Sequence, residues 1–457
     1  MNQELLIQEL LQRIAQLEKK VLALEGLEKE NAYLRERLAK YETPKNSRNS
    51  SIPPSKDENR PQRNKSLRKK SNKPVGGQHG HKGSHLAIQV NPDKIENHIP
   101  FYCNQCGADL SNISEELSEK RQVIDLPEIV PVCIEHHSYQ KQCSCGHITK
   151  GSFPSTVRHP VQYGANTEAM ISYLHTRQYL SFNRIEEFLN DAYRLTISEG
   201  GVHCLLKRFT AKALPFYEEI KKRIYNSEVV GTDETGVKVN KKKHWFWAWQ
   251  NKKLTFIVHS TNRGIATIQH VFENGLPNSK LNHDRWASHF HCKCKGNQIC
   301  SSHLLRDLIY LEELYKSKWA TSMNDLILQA LELKKQMRPE DYRVPNKIRD
   351  CIEEKLSELL EYHIEPTHKK AVTLQKSLLK KRNCILFFLY HLEVPPDNNG
   401  TERSIRNVKV KLKVSGQFKS EKGAQVYAVN RSVIDTIIKS KQNVFDGLAL
   451  IANLASD

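Results

Sequence analysis

The chain has 457 residues, of which 38% are hydrophobic and 26% charged, and its formal net charge is +19. This length predicts about three domains, and the cationic excess favours polyanionic partners, nucleic acid before an anionic membrane surface. Because no apolar run approaches the roughly 20 residues of a membrane span and no signal-peptide pattern is present, we expect a cytoplasmic protein without a membrane partner, whose 11 cysteines are thiols or metal ligands.

Residues 1–43 are predicted to form a coiled coil. Apolar residues recur at alternating intervals of three and four, namely Ile7, Leu10, Ile14, Leu17, Val21 and Leu24. Gly26 interrupts this register, and a second one follows with Asn31 in a core position, where a buried amide can fix the pairing of two chains. An amphipathic helix packed on its own chain would give the same pattern. We favour a homo-oligomer, because the polar segment that follows offers the helix little to pack against.

Residues 44–92 are predicted to be a basic, flexible and disordered linker. Between residues 44 and 90, eleven Lys and Arg stand against two acids, so +9 of the net charge lies here. The apolar residues are too few to offset the entropy of ordering the segment. Its cations would be drawn to phosphates in a salt-dependent way. A merely solvated tether is the alternative, and the two are compatible.

Residues 93–155 are predicted to be a small zinc-binding module. Cys103 and Cys106, with Gly107 behind them, have the spacing of a zinc-knuckle half site. Cys143 and Cys145 offer the second half in a tighter Cys-x-Cys spacing. Four nearby residues are substitutes for a ligand: Cys133, His136, His137 and His147. A structural zinc ion would supply folding energy to a module with so little core; reduced cysteines in a small β module are the alternative.

The rest of the chain predicts an α/β order. Residues 156–226 have helical periodicity, which favours a helical bundle over a DNA-binding helix-turn-helix. Residues 227–423 begin with strands, including a hairpin whose two apolar runs are separated by residues 250–253. A helix and a short strand ending near Asp284 follow, then a helical insertion over about 305–392. Residues 424–457 are predicted to be a helical tail.

A second group of potential metal ligands precedes and begins this insertion. Its spacing matches no standard zinc set, and we do not predict zinc there. The group comprises His289, His291, Cys292, Cys294, Cys300 and His303.

Two aspartates are candidate active-site residues. Asp233 ends an apolar run, and strand alternation directs its side chain and that of Glu234 to opposite faces. A turn residue before Thr235 is the alternative for Asp233. Asp284 by itself would also fit a helix cap.

Glu402 lies inside a basic tract and has two interpretations. Residues 399–402 fit a capping box, with Asn399 as the N-cap and Glu402 reaching back to its amide. Asn398, Glu402 and Arg406 also fall on one helical face at intervals of four. A carboxylate on that face can hold a metal while arginines hold phosphate oxygens.

Cleavage and joining of DNA would explain three separated acids. Two hard cations about 3.5–4 Å apart can activate the attacking oxygen and stabilise the leaving oxygen at phosphorus, and magnesium prefers carboxylate, phosphate and water oxygens. The sequence has no Walker-type phosphate loop and no Gly-x-Ser-x-Gly elbow. Nucleotide hydrolysis and serine hydrolase chemistry therefore have no support.

Several blocks along the chain resemble DDE transposases of the insertion sequence sixty-six family. "NSSIPPSKD" and "PVGGQHGHKGSHL" are similar to the family's linker, and "CNQC" with "CSCG" to its zinc module. "VQYGANTEAMISYL" and "ISEGGV" are similar to its central helical region. "GTDETGVKV", "HWFWAW", "CSSHLLRDL" and "DNNGTERSIRNVKV" are similar to its catalytic core. The similarity extends over almost the whole length.

The resemblance implies an RNase H-like catalytic core with Asp233, Asp284 and Glu402 as catalytic acids and magnesium or manganese ligands. The chain reads Asp284-Arg285-Trp286 where the family usually has Asp-Gly-Tyr. The implied zinc ligands are Cys103, Cys106, Cys143 and Cys145, although the family's second pair is more often Cys-x-x-Cys. The role of the matching residues Cys300, His303 and Arg306 stays open between packing and, for Arg306, phosphate contact.

The expected protein is a bacterial, nucleoid-associated transposase that cuts DNA at the ends of its element and joins the 3′ ends to target DNA by two-metal-ion phosphoryl transfer. Its DNA partners are the terminal repeats and the target, with small accessory proteins encoded beside it. The residues expected to hold the DNA backbone are Arg306, Arg403, Arg406, Lys409 and Lys411. The alternatives are a decayed, non-catalytic zinc-containing DNA-binding protein and a nuclease on the same fold.

Overall fold

The computed structural model describes residues 2–50, 52, 57–59, 76, 80–83 and 86–454. The chain divides into two units, Met1–Gln62 with Cys133–Asp457, and Arg63–Val132. Most of the predicted linker lies outside the described residues. In the part of the chain that is described, no helix is both long and apolar enough to cross a membrane.

The N-terminal segment is one helix, α1 (Asn2–Glu42), which continues through Gly26. The six apolar residues of the first predicted register, from Ile7 to Leu24, are all exposed in the single chain. The helix therefore presents a long apolar stripe to its surroundings.

In the described part of the chain, three α-helices lie between α1 and the five-stranded sheet. They are α2 (Ala165–Ser172), α3 (Phe182–Tyr193) and α4 (Glu199–Tyr225). The Ser198 hydroxyl accepts a hydrogen bond from the Gly201 amide and caps α4, as expected of a serine before an apolar helical run. Residues of all three helices share an apolar cluster that includes Ile171, Ile185 and Leu205, so the segment packs as a bundle.

The largest sheet has five strands in the order β5-β4-β3-β6-β7. They are β3 (Val229–Val239), β4 (Lys242–Gln250), β5 (Thr255–Ser260), β6 (Leu276–His283) and β7 (Cys294–Ile299). The β3–β4 and β4–β5 pairs are antiparallel, whereas β6 runs parallel to β3 and β7 parallel to β6. The predicted α/β order and the hairpin around residues 250–253 are confirmed.

Helices cover both faces of this sheet. Helix α4, α5 (Ile265–Val271) and α13 (Val444–Ala452) contribute to one core, in which Trp247 and Trp249 stack with ring centroids 5.8 Å apart. Helix α11 (Asn399–Ser415) packs on the opposite face. Between β6 and β7 lies the short helix α6 (Ala287–Phe290).

Helix α12 (Glu421–Lys439) covers the edge strand β5. The Ser432 hydroxyl accepts a hydrogen bond of 2.8 Å from the Ile257 amide, and the Thr436 hydroxyl accepts one of 3.2 Å from the Thr255 amide. Hydroxyl groups thus satisfy backbone donors that an open edge would leave unpaired. The predicted boundary at residue 424 falls inside this helix, so the C-terminal helices are part of the sheet's packing.

The helical insertion lies between β7 and α11 and has its own apolar core. Its helices are α7 (Ser301–Tyr315), α8 (Lys318–Gln336), α9 (Lys347–Glu361) and α10 (Lys369–Lys380). The fully buried Trp319 belongs to this core and donates a hydrogen bond to the Leu359 carbonyl.

Residues 44–50 differ from the flexible linker expected for them. Asn49 is only 1% exposed, and its side chain donates a 2.7 Å hydrogen bond to Glu313 of α7. The Asn46 carboxamide accepts from the Arg48 and Asn49 amides. Composition missed this packing because side-chain-to-backbone hydrogen bonds, rather than apolar contacts, hold the turn.

Gly231 of β3 lets helix α11 approach the sheet closely. A Cβ atom at this position would lie 2.5 Å from the Thr401 hydroxyl, 2.6 Å from the Asn398 carboxamide oxygen and 2.9 Å from the Gln250 amide nitrogen. Gly236 of the same strand has only ordinary contacts, the nearest at 3.9 Å. Any side chain at 231 must therefore displace polar side-chain groups of Thr401, Asn398 and Gln250.

We expect Gly231→Ala to destabilise the protein by about 1–3 kcal/mol, the usual cost of overpacking. The matched variant Gly236→Ala should stay within about 0.5 kcal/mol of the wild type. Urea unfolding of the three proteins measures both values, and equal stability of the two variants would contradict the close approach.

Candidate active site and zinc module

The three predicted catalytic acids come from three elements that meet at one end of the sheet. Asp233 lies in β3, Asp284 follows the last residue of β6, and Glu402 is in the first turn of α11. In the parallel β3–β6 pair, Gly231 is opposite Asn282. Asp233 and Asp284 each lie two residues beyond that pair, so Asp233 within β3 and Asp284 just after β6 are at the same level of the sheet.

The neighbouring acids act electrostatically on the carboxyl group of Asp233. Burial raises the pKa of Asp233 well above its ordinary value, and the charges of Asp284, Glu234 and Glu402 raise it further. Because Coulomb interactions weaken with distance, these effects indicate that the sequence-distant acids converge. The site has an excess of negative charge that a cation would relieve.

Glu402 is not part of a capping box, so that interpretation was wrong. The N-cap of α11 is Asn398 rather than Asn399, and it makes no side-chain capping bond. The Glu402 carboxylate instead faces α7, where Oε1 lies 3.5 Å from His303 Nδ1 and 3.5 Å from the Arg306 guanidinium. The local pattern failed because tertiary partners compete for this carboxylate.

Cys300, His303 and Arg306 recur every third residue at the start of α7, which puts them on one face toward α11. The Cys300 sulfur accepts a hydrogen bond of 3.2 Å from the Asn398 amide, while the other two residues approach Glu402. Potential ligand atoms of Cys300, His303 and Glu402 lie within 4.8 Å of one another, but thiol and imidazole groups are not the oxygen ligands that magnesium prefers. Cys300 therefore contacts the beginning of α11, and His303 and Arg306 contact its acidic residue Glu402.

Asn398 joins α11 to the sheet. Its side-chain amide donates a 2.8 Å hydrogen bond to the Thr232 carbonyl in β3, and its carboxamide oxygen accepts one from the Thr401 hydroxyl. The Asn282 side chain of β6 donates to the carbonyls of Pro395 and Asp397. These buried contacts fix the chain just before Glu402.

Glu234 lies on the face of β3 opposite Asp233, as strand alternation predicted. Its side chain is 1% exposed and accepts hydrogen bonds from Arg263 (2.9 Å) and His289 (3.0 Å). Burial opposes its ionisation, but the hydrogen bonds and charges of His289 and Arg263 lower the pKa of Glu234 below its ordinary value. Glu234 is thus an ionised, paired carboxylate behind the three acids.

The predicted phosphate-binding residues divide into exposed and buried groups. Arg403, Arg406 and Lys409 are exposed on α11. Lys411 is 5% exposed, burial lowers its pKa to about 8, and its ammonium group lies 3.4 Å from the Leu180 carbonyl. Lys411 is therefore a buried packing residue, which corrects its predicted role. Its position two residues after Lys409 turns it toward the core.

Sequence reasoning missed the roles of His289, Arg263 and Asn282. His289 was considered only as a zinc ligand, and the structure gives it a carboxylate partner. The available signal for Asn282 was its place two residues before Asp284 at the end of a buried strand. Nothing local distinguishes Arg263 from the chain's other arginines, because its partner Glu234 lies in β3 and is distant in sequence.

The first predicted zinc half site forms a tight turn. The Cys103 amide donates to the Ala108 carbonyl and the Gly107 amide to the Cys103 carbonyl, both at 2.9 Å. Gly107 has a φ of +71°, which favours glycine. Hydrogen bonds from the amides of Cys106 and Gln105 lower the pKa of Cys103. Stabilisation of the thiolate is what zinc binding requires.

The second half site has similar local geometry between two short paired strands, β1 (Gln140–Gln142) and β2 (Ile148–Lys150). The Cys143 amide donates to the His147 carbonyl and the Gly146 amide to the Cys143 carbonyl, both at 2.8 Å. The Cys145 amide, together with its thiol, lowers the pKa of Cys143. The shorter Cys-x-Cys spacing therefore still gives a thiolate-stabilising turn.

Comparison with family models gives three matches. Residues 160–426 match the transposase IS66 family, residues 100–146 match the zinc-finger binding domain of transposase IS66, and residues 1–87 match a family of unknown function. A comparison with curated proteins gives no match. The first match covers more than half of the chain and spans all three acids, and the second spans all four predicted zinc cysteines. The chain therefore belongs to the transposase IS66 family.

Proposed function

We propose that the protein cleaves DNA at the ends of an insertion sequence and joins the 3′ ends to target DNA. The observation that carries the proposal is the convergence of Asp233, Asp284 and Glu402 within the region that matches the transposase family. We also propose that the five-stranded sheet with α11 on one face is the RNase H-like core that the resemblance implies. The helices between β7 and α11 would then be an insertion in that core.

The acidic site fits magnesium or manganese. Its donors are carboxylate oxygens, which these hard cations prefer, and the raised pKa of Asp233 indicates negative charge without full compensation. Asp233, Asp284 and Glu402 would hold the metal. When bound, a pair of such ions activates the attacking oxygen and stabilises the leaving oxygen in phosphoryl transfer.

The chain's cations have two proposed roles near this site. Arg306, 3.5 Å from the Glu402 carboxylate, holds that acid in place beside His303. Arg403, Arg406 and Lys409 are exposed on α11, the helix that carries Glu402. They would contact DNA phosphates, and such contacts position a duplex without reading its sequence. This separates residues that orient the acid from residues that hold the substrate.

Two further parts of the chain support assembly on DNA. The zinc module would be stabilised by Cys103, Cys106, Cys143 and Cys145, and the match to the family's zinc-finger domain supports this ligand set. The exposed apolar stripe of α1 supports a homo-oligomer formed by this helix. Terminal repeats, target DNA, accessory proteins and a nucleoid location remain expectations from the resemblance.

The proposed chemistry predicts that Glu402→Gln and Asp233→Asn each reduce magnesium-dependent strand transfer by more than about 100-fold. Loss of residues that only support metal ligands already costs 10–100-fold in other sites. The measurement is joining of labelled element ends to target DNA by purified protein, with the exposed helix α9 variant Glu354→Gln as the matched control.

Wild-type strand transfer by the Glu402 and Asp233 variants would contradict this mechanism. Cleavage without joining would favour a nuclease. A non-catalytic DNA-binding protein is favoured if the wild type has no activity and if, in a titration with divalent metal, the wild type and Asp233→Ala bind DNA with equal affinity.

Asp233→Asn should stabilise the magnesium-free protein at neutral pH by about 0.5–2 kcal/mol, the usual gain from relieving one unfavourable feature. The folded-state pKa of Asp233 is raised, so stability from this group is present at low pH and is lost as pH rises above its unfolded-state pKa. Urea unfolding at acidic and neutral pH measures the effect, with exposed Asp325→Asn as the control. Added magnesium should reduce the advantage by stabilising the wild type.

The purified protein should contain one equivalent of zinc, and Cys106→Ser should lose it together with module stability. The exposed cysteine variant Cys204→Ser should retain zinc. Elemental analysis after gel filtration makes the measurement. Cys145→Ser and His147→Ala test the fourth ligand: zinc loss only in the His147 variant would exclude Cys145.

A further inference from the structure

We propose that Glu234, acting through His289 and Arg263, fixes the position of Asp284 and so sets the affinity of the acidic site for its divalent metal. These three are positioning residues, since none of them is among the groups proposed to touch metal or DNA. The inference rests on the proposed function. It adds a set of contacts that hold Asp284 in place, which the three acids alone do not provide.

Glu234 is the fixed point of this network. A buried carboxylate is costly unless it is paired and hydrogen-bonded, and the side chain of Glu234 is 1% exposed. Its Oε1 accepts from Arg263 Nε at 2.9 Å and its Oε2 accepts from His289 Nε2 at 3.0 Å. Both oxygens therefore accept a hydrogen bond, one from Arg263 in the connection between β5 and α5 and one from His289 in α6.

His289 links Glu234 to Asp284. Its fully buried Nε2 atom is 3.0 Å from Glu234 Oε2 and 3.7 Å from Asp284 Oδ1. Because ionised carboxylate oxygens only accept hydrogen bonds, the Nε2 atom must carry the proton, which is donated to Glu234 while Asp284 is attracted electrostatically. The edge of Trp247, with centroids 5.5 Å apart, and the ring of His283, at 5.0 Å, restrict the imidazole.

Arg263 links Glu234 to the same loop by a second route. Its guanidinium lies 3.8 Å from the ring centroid of Trp286, a cation–π contact. The Trp286 amide in turn donates a 2.8 Å hydrogen bond to Asp284 Oδ1. Two connections therefore hold Asp284 in its orientation: one runs through the imidazole of His289, and the other through Arg263 and the backbone amide of Trp286.

The loop after β6 needs such support. Asp284 is the first residue beyond the strand, and the next helix, α6, has only four residues. A metal ligand on a connection this short is held accurately only if neighbouring side chains lock it. Supporting residues of this kind typically change metal affinity 10–100-fold. Loss of the network should therefore weaken metal binding more than it slows the reaction at saturating metal.

The test compares His289→Asn with His289→Gln, because a glutamine amide can reach the position of Nε2 and an asparagine amide cannot. Exposed His291→Asn is the control. The readouts are the magnesium concentration for half-maximal DNA cleavage and Mn²⁺ binding by calorimetry with the zinc module saturated. We expect His289→Asn to raise both metal constants about 10–100-fold with the maximal rate within a few-fold, and His289→Gln to restore most of the loss.

Unchanged metal constants in folded His289→Asn and Glu234→Gln proteins would overturn the inference, and so would a rate loss that metal concentration does not alter. If His289→Asn does not fold, Arg263→Met decides, since this partly exposed side chain should give a smaller shift in the same direction. Absence of metal-dependent cleavage in the wild type would refute the proposed function, while Mn²⁺ binding would still test the positioning.

Discussion

The contact between the beginning of helix α11 and strand β3 is the constraint on which the candidate site depends. Asp233 and Glu402 are separated in sequence by four strands and the whole helical insertion, so bringing them together costs chain entropy. Gly231 removes the side chain that would separate the two elements, and the Asn398 carboxamide binds the Thr232 carbonyl across the gap. The position of Glu402 beside the sheet therefore depends on Gly231 and Asn398.

The carboxyl groups on the two faces of β3 have pKa values shifted in opposite directions. On one face, Asp233 meets other acids, and burial with their charges keeps its pKa raised. On the other face, Glu234 is buried, but His289 and Arg263 lower its pKa. Adjacent residues of one strand thus lie in opposite electrostatic environments: Asp233 faces other acids, and Glu234 is paired with His289 and Arg263. Unfavourable electrostatics on one face is the expected compromise of a site built for function rather than stability.

Sequence patterns predicted the parts of the molecule that local chemistry determines. The α/β order and the β4–β5 hairpin followed from periodicity and turn residues. Patterns failed where a distant partner decides the outcome. Glu402 read equally well as a helix cap because the competing partners, His303 and Arg306, belong to another helix. Lys411 was missed because its position on α11 turns it toward the core, and the turn at residues 44–50 was missed because side-chain-to-backbone hydrogen bonds hold it.

The loop after Asp284 bears on whether the site is intact. Here the chain has Arg285 and Trp286 where the resembling family usually has glycine and tyrosine, and both larger side chains have partners. Arg285 is ion-paired with Asp307 of α7, and Trp286 stacks under Arg263. A substitution that the fold did not accommodate would leave the larger side chain without contacts. Arg285 and Trp286 instead connect the loop of Asp284 to α7 and to Arg263, the partner of Glu234. The fold therefore accommodates the departure from the family pattern through contacts of Arg285 and Trp286.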